Sequence, residues 1–180
     1  MVNRNGSAEI YRYRTMSSDV IVEGPSRRQE DIDLVGRLWR RLHAHHQAIS
    51  PFRGLVQDLD VSWFRRRRWY IDLLDEGGAL WIARAQGRDP IGYAFATFTV
   101  GPDDTFDSKG TAELVSLIVD ESYRGAGIGR ALVQAVEEAA RGLGIDLFKV
   151  AVMVGNDAAF RFYQSNGFEL AEQVLYRPIP

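Results

Sequence analysis

Residues 111–143, TAELVSLIVDESYRGAGIGRALVQAVEEAARGL, constrain this chain more than any other stretch. They read as strand, glycine turn, helix. Ala112 to Val119 is rich in Leu, Ile and Val, as a buried strand should be. Ile128, Ala131, Leu132, Ala135 and Val136 then recur at steps of three and four, so the helix carries one apolar stripe that must lie on a sheet.

The turn between them runs Arg124, Gly125, Ala126, Gly127, Ile128, Gly129. The first N–H groups of a helix have no internal partner, and the helix dipole places partial positive charge there. Glycines remove the bulk that would keep a phosphate off those N–H groups. Arg124 and Arg130 add charge at the two ends of the turn. A P-loop is excluded, because Arg130 and Ala131 stand where Lys and Ser or Thr belong. A Rossmann turn started at Gly125 puts Arg130 at its third glycine, and Asp120 to Tyr123 separate the strand from the turn. What remains resembles the acyl-CoA pyrophosphate loop of the GNAT acetyltransferase superfamily, Arg/Gln-x-x-Gly-x-Gly/Ala, filled by Arg124, Gly127 and Gly129. The plainer reading of the same turn is a connector.

A second pattern of that superfamily lies at Asn156 to Phe168, NDAAFRFYQSNGF. Asn156, Ala159, Phe162, Tyr163, Gly167 and Phe168 match it in register, and one strand separates it from the first. The resemblance covers about residue 18 to the end. It implies an α/β (α+β) fold: a GNAT-type mixed, mostly antiparallel sheet of six to seven strands with helices on both faces.

The rest of the chain fits that order. Residues 1–17 are polar and aperiodic, a flexible tail ahead of a single domain at 18–180. Val20 to Val22 is a short strand. A helix follows from Ser26, capped through Ser26 and Gln29, with Ile32, Val35, Trp39 and Leu42 on its apolar face to about His46. Asp60 to Asp75 is a second helix. Its Arg65 to Arg68 form either a basic patch that steers phosphates or a solvated face whose stems cover Trp63 and Trp69. Ala79 to Ala85 and Ile91 to Val100 are strands joined by a turn at 86–90. Leu147 to Val154 is a strand, Asn156 caps a short helix to about Ser165, and Phe168 to Leu170 with Gln173 to Ile179 make a closing pair of strands.

Composition bounds the function. The chain has 180 residues, 46% of them hydrophobic and 26% charged, enough for one cored domain. A net charge of -2 argues against nucleic acid. No cysteine is present, which excludes disulfides, thiolate metal sites and a cysteine nucleophile. No apolar run suits a membrane helix, and MVNRNGSAEIYRYR lacks the apolar core of a signal peptide. A cytoplasmic protein with no membrane partner is expected. His43 and His46 share a helix face but lack a third metal ligand, so no metal is expected.

The resemblance also implies roles. Backbone groups of Leu117, Ile118 and Val119 would pair with the pantetheine arm of acetyl-CoA like an added strand. N–H groups from Arg124 through Gly125, Ala126, Gly127, Ile128 and Gly129, with Arg130 beside them, would hold its pyrophosphate. Asn156, Ala159 and Phe162 would border the arm, and Tyr163 would protonate the departing thiolate. The amine must also be neutral, and a lysine-like amine of pKa about 10.4 is only about one part in two thousand neutral at pH 7. Glu113, in the Ala112-Glu113-Leu114-Val115 run, is the candidate base, or else a substrate-binding or ion-paired carboxylate. Ser116 either lines the cleft or satisfies itself on backbone. The expected activity is acetyl-CoA-dependent N-acetylation of a primary amine in a ternary complex; the alternative is a non-catalytic acyl-CoA-binding sensor. Polyamine, aminoglycoside, amino acid, peptide and lysine acceptors all remain open, and the last strands are compatible with a homodimer.

Overall fold

The computed structural model describes residues 10–14, 19–85 and 89–179. Six strands form one sheet in sequence order: β1 (Ile10–Arg14), β2 (Asp19–Ser26), β3 (Ala79–Ala85), β4 (Pro90–Val100), β5 (Gly110–Val119) and β6 (Leu147–Val150). Neighbours are antiparallel except β5 and β6, which are parallel. Among the described residues five α-helices accompany them: α1 (Gln29–Leu34), α2 (Gly36–Ile49), α3 (Leu59–Asp75), α4 (Ile128–Gly142) and α5 (Asp157–Ser165).

The alternation along β3 and β4 sets the two faces. Leu80, Ile82, Tyr93 and Phe95 pack with Ile32, Leu38 and Tyr70 of α1, α2 and α3. Trp81, Ala83, Ala94 and Ala96 pack on the opposite face with Leu132 and Val136 of α4. Ala94 and Ala96 of β4 therefore face α4 while Tyr93 and Phe95 face α1 to α3, and Phe98 further along the strand packs on the α4 side. Leu132 and Val136 are fully buried.

The expected order of elements holds, with four differences. The apolar stripe from Ile32 to Leu42 does not lie on one helix. Val35 turns its N–H back to the Ile32 carbonyl at 3.2 Å, and the helix restarts when Trp39 N–H reaches the Val35 carbonyl at 2.9 Å. Ser26 is not a cap for Gln29: its hydroxyl donates to Asp31 at 2.6 Å, and Arg28 is the N-cap without a side-chain bond. Ile10–Arg14, placed in the tail by its polar composition, pairs with β2. The remaining tail residues and 86–88 of the hairpin turn lie outside the described residues. Finally, β6 stops at Val150 rather than Val154, and 168–179 form no strand. Phe168 docks on Phe148 and Tyr163 at 5.1 and 5.4 Å, but Leu175 and Ile179 beyond it are exposed. Strand propensity there meets no partner strand, and propensity without pairing does not make a sheet.

Candidate active site

The parallel pair is short. β6 matches only Thr111 to Leu114 of β5, through Leu147 to Val150. Beyond Leu114 the strands part, and that edge of β5 has no partner strand among the described residues. A bulge marks the parting point. β4 pairs Phe95 with Ser116 but Ala96 with Leu114, leaving Val115 unmatched. The extra residue exchanges the faces of the strand: Leu114 packs on the α4 side, whereas Ile118 packs with α1 to α3.

A cleft opens where the strands part. Leu114 to Leu117 of β5 form one wall and Val150 to Met153 the other. Trp39, Leu42, His46 and Arg66 line it from α2 and α3. Asn156, Ala159 and Tyr163 line it at α5. Ser116 at its base is satisfied by a side chain, not by backbone: Tyr70 donates to it at 2.6 Å and also lies 3.2 Å from the Tyr93 hydroxyl. This buried trio ties α3 to β5 at the bulge. Burial raises both phenols above their ordinary pKa, so both stay neutral.

The glycine turn follows at the end of β5. Gly127 is the N-cap of α4 with φ +80, a left-handed conformation that disfavours a side chain. A methyl group there would meet nothing within 4 Å, so the space above the helix start is open. Gly129 has a different reason to be glycine. A methyl group would come within 3.3 Å of the Phe162 ring, so this glycine lets α4 pass close to α5. Phe162 thus packs α5 against the turn, with Tyr163 at 5.2 Å, and does not line the cleft. Ile128 is buried and offers only its backbone.

The two arginines of the turn are engaged. Arg124 folds back, its Nε donating to the Val119 carbonyl at 3.3 Å. That carbonyl was expected to meet the pantetheine arm. Arg130 donates to Asn166 at 3.1 Å and to the Ser165 carbonyl at 3.4 Å, clamping α4 to α5. Asn156 caps α5, its side-chain oxygen accepting from Ala159 N–H at 3.3 Å.

Tyr163 is buried at 8% exposure, lines the cleft, and its hydroxyl makes no hydrogen bond among the described residues. Burial alone pushes its phenol upward, so it remains a proton donor. Glu113 is not among the residues lining the cleft. It lies opposite Thr97 and Lys149 in the part of β5 paired on both sides. Strand alternation puts it on the face opposite Ala112 and Leu114.

Four side chains were not given a single place by sequence reasoning. Asp120 closes β5 and receives both Arg37 and Arg41 of α2, fixing α2 against the start of the turn. Burial raises its carboxyl, but hydrogen bonds from Arg37 and the Ser122 N–H and the charges of Arg41 and Arg37 outweigh it, so the net pKa is lowered. Arg66 enters the cleft, from a run that read as either a basic patch or a solvated face. The available signal was spacing: Ser62, Arg66, Tyr70 and Leu74 follow one helical stripe, and three of the four are buried. His43 of α2 bonds the Gln57 carbonyl at 2.8 Å and so holds the loop after α2. His46 lines the cleft, and its pKa is lowered to about 4 by burial first and then by His45, His43 and Arg66.

The His46 shift has a measurable consequence. Between pH 6.5 and about 4 the unfolded chain binds a proton at His46 that the folded chain refuses. Stability should therefore be fully present above that window and fall as pH drops through it. His46 is only partly buried, so screening reduces the effect to on the order of 1–2 kcal/mol. His46→Gln should lose correspondingly less stability than the wild type between pH 7 and pH 4.5, read from urea midpoints.

Residues 39–168 match the family model described as Acetyltransferase (GNAT) family. The chain belongs to that family and is an N-acetyltransferase. It is 27% identical over 134 residues to the L-methionine sulfoximine/L-methionine sulfone acetyltransferase of Pseudomonas aeruginosa, covering 74% of this chain and 75% of that one. It is 33% identical over 131 residues to an uncharacterized N-acetyltransferase of Methanocaldococcus jannaschii, covering 69% of this chain and 54% of that one. Among solved structures, the tetramutant of the BH1408 protein from Bacillus halodurans has TM-score 0.71 at 21% identity, over 84% of this chain and 96% of that one. A predicted acetyltransferase from Clostridium acetobutylicum, solved with acetyl-CoA, has TM-score 0.63 at 18% identity, over 84% of this chain and 92% of that one. Among the described residues no helix is long and apolar enough to cross a membrane.

Proposed function

We propose that this chain moves an acetyl group from acetyl-CoA to the primary amine of a small molecule, by direct attack in a ternary complex. The observation that carries the reading is the edge of β5 beyond Leu114, which has no partner strand among the described residues and is followed, after a 3-10 turn at Glu121–Tyr123, by the open helix start at Gly127. An extended pantetheine arm would add to that edge as a strand does. The pyrophosphate would rest on the N–H groups from Gly125 to Gly129. Backbone groups alternate along a strand, and Asp120 N–H already bonds the Ile91 carbonyl of β4, so Ile118 also faces β4 and Leu117 and Val119 are the partners turned to the open edge, where Arg124 takes one lone pair of the Val119 carbonyl.

Tyr163 would supply the proton to the leaving thiolate, which suits a phenol that burial keeps protonated. Glu113 shares a strand face with the helices that border the cleft and would receive the amine proton through water. The solved Clostridium acetobutylicum neighbour holds acetyl-CoA, which supports the same donor here.

Initial rates at varied acetyl-CoA and amine test the mechanism. Direct attack predicts intersecting double-reciprocal lines and one thiol released per acetylated amine. Parallel lines would mean a covalent acetyl-enzyme and would sink the ternary-complex reading.

A further inference from the structure

Arg66 is the one cation lining the cleft among the described residues that carries a fixed charge, and it is held in an unusual way. Its guanidinium carbon lies 4.0 Å from the Trp39 ring, 4.5 Å from the Trp69 ring and 5.4 Å from the Tyr70 ring. Aromatic contacts hold a guanidinium by its flat faces, whereas its N–H donors point outward in its own plane. The rings fix the guanidinium, and its hydrogen bonding toward the Tyr70 hydroxyl takes only part of the fork, leaving the remaining N–H donors for an anion. Among the described residues no carboxylate pairs with Arg66. The adjacent Arg67 shows the contrast, with Asp33 bound at 2.6 and 2.9 Å.

The surroundings do not supply the missing anion. No aspartate or glutamate lines the cleft among the described residues. His46 is neutral at ordinary pH and offers no negative charge. The Trp39 indole N–H is buried without an acceptor. This side of the cleft is rich in donors and poor in acceptors. A polyamine or aminoglycoside would bring further positive charge against Arg66 with no carboxylate to receive it. An amine that carries its own carboxylate supplies what the wall lacks, and a planar carboxylate matches the guanidinium fork.

Resting on the acetyl-transfer reading above, we infer that the acceptor is an amino-acid-type molecule, a primary amine bearing a carboxylate, and that Arg66 of α3 binds that carboxylate. The carboxylate held at α3 leaves the amine directed to the gap between β5 and β6, where the thioester would lie. Arg66 is then the residue that selects the acceptor.

The test is thiol release from acetyl-CoA with amino acids, the matching amino acid amides, spermidine and kanamycin. Each amide keeps the amine and side chain and loses only the negative charge. The expected result is kcat/KM at least about tenfold higher for an amino acid than for its amide, since a charged hydrogen bond is worth about 1.5–3 kcal/mol. Arg66→Met should raise KM for the amino acid by about 10- to 100-fold and bring the acid-to-amide ratio toward one. Arg66→Lys keeps the charge but not the fork. It should show a smaller rise in KM, and it provides the readout if the methionine variant does not fold. Equal rates on acid and amide, preference for spermidine or kanamycin, or an unchanged ratio in the folded Arg66 variants would overturn the assignment while leaving acetyl transfer intact. Acetyl-CoA binding with no thiol release from any amine would overturn acetyl transfer, and this inference with it.

Discussion

Gly127→Glu is expected to lower acetyl-CoA affinity by at least about 100-fold. Two effects combine. The carboxylate would stand where the open space above the start of α4 receives the pyrophosphate. Two like charges about 4 Å apart repel by about 4 kcal/mol at the effective dielectric of a protein surface, against 1.4 kcal/mol for each tenfold in affinity. The side chain must also adopt φ +80, which costs roughly 1–2 kcal/mol. Gly127→Ala separates the two, because it carries the strain and not the charge. Calorimetric titration of both variants should show a few-fold loss for alanine and near-complete loss for glutamate. Equal, small losses in both would mean that no anion rests on this helix start.

Tyr163→Phe is expected to reduce kcat by about 10²-fold or more, in the range of a general acid, with acetyl-CoA affinity within about twofold of wild type. The split matters, because the phenyl ring keeps its packing on Phe162 and Phe168 while only the hydroxyl is lost. Burial raises the Tyr163 phenol, so the wild-type rate should show no descending limb near the ordinary phenol pKa of about 10. Stopped-flow single turnover would place the defect in the chemical step. Unchanged single-turnover rates would remove Tyr163 from the reaction.

What could be read from the sequence was local. The strand, turn and helix from Gly110 to Gly142 are specified by neighbouring residues, through one apolar run, one glycine cluster and one 3.6-residue stripe. The Asn156 cap and the helix to Ser165 are equally self-contained. The differences arise where distant segments decide. Val35 breaks the first helix although the stripe continues through it. Ile10–Arg14 becomes a strand because β2 offers an edge. The apolar 168–179 stretch does not, because its side chains find no ladder.

The site shows the same division. The turn and Tyr163 were legible because each motif lies within one short segment. The role of Gly129 was not, because Phe162, whose ring crowds a side chain there, belongs to another helix. Arg66 was hidden in a run of four arginines whose composition suggests solvent. Only the packing of α3 on α2 and the sheet shows that one of the four faces inward, over Trp39 and Tyr70. Val115 is similar: an ordinary valine in an apolar strand, yet the bulge at it coincides with the opening of the cleft.

The central claim is that acetyl-CoA lies along the open edge of β5 and ends on the glycine turn. Hydrogen–deuterium exchange with and without acetyl-CoA tests it most directly. The account predicts new protection from Val115 through Gly129, with little change at Thr111 to Leu114, which strands on both sides already protect. Saturable binding without protection in that segment would contradict it, and would place the cofactor elsewhere on the molecule.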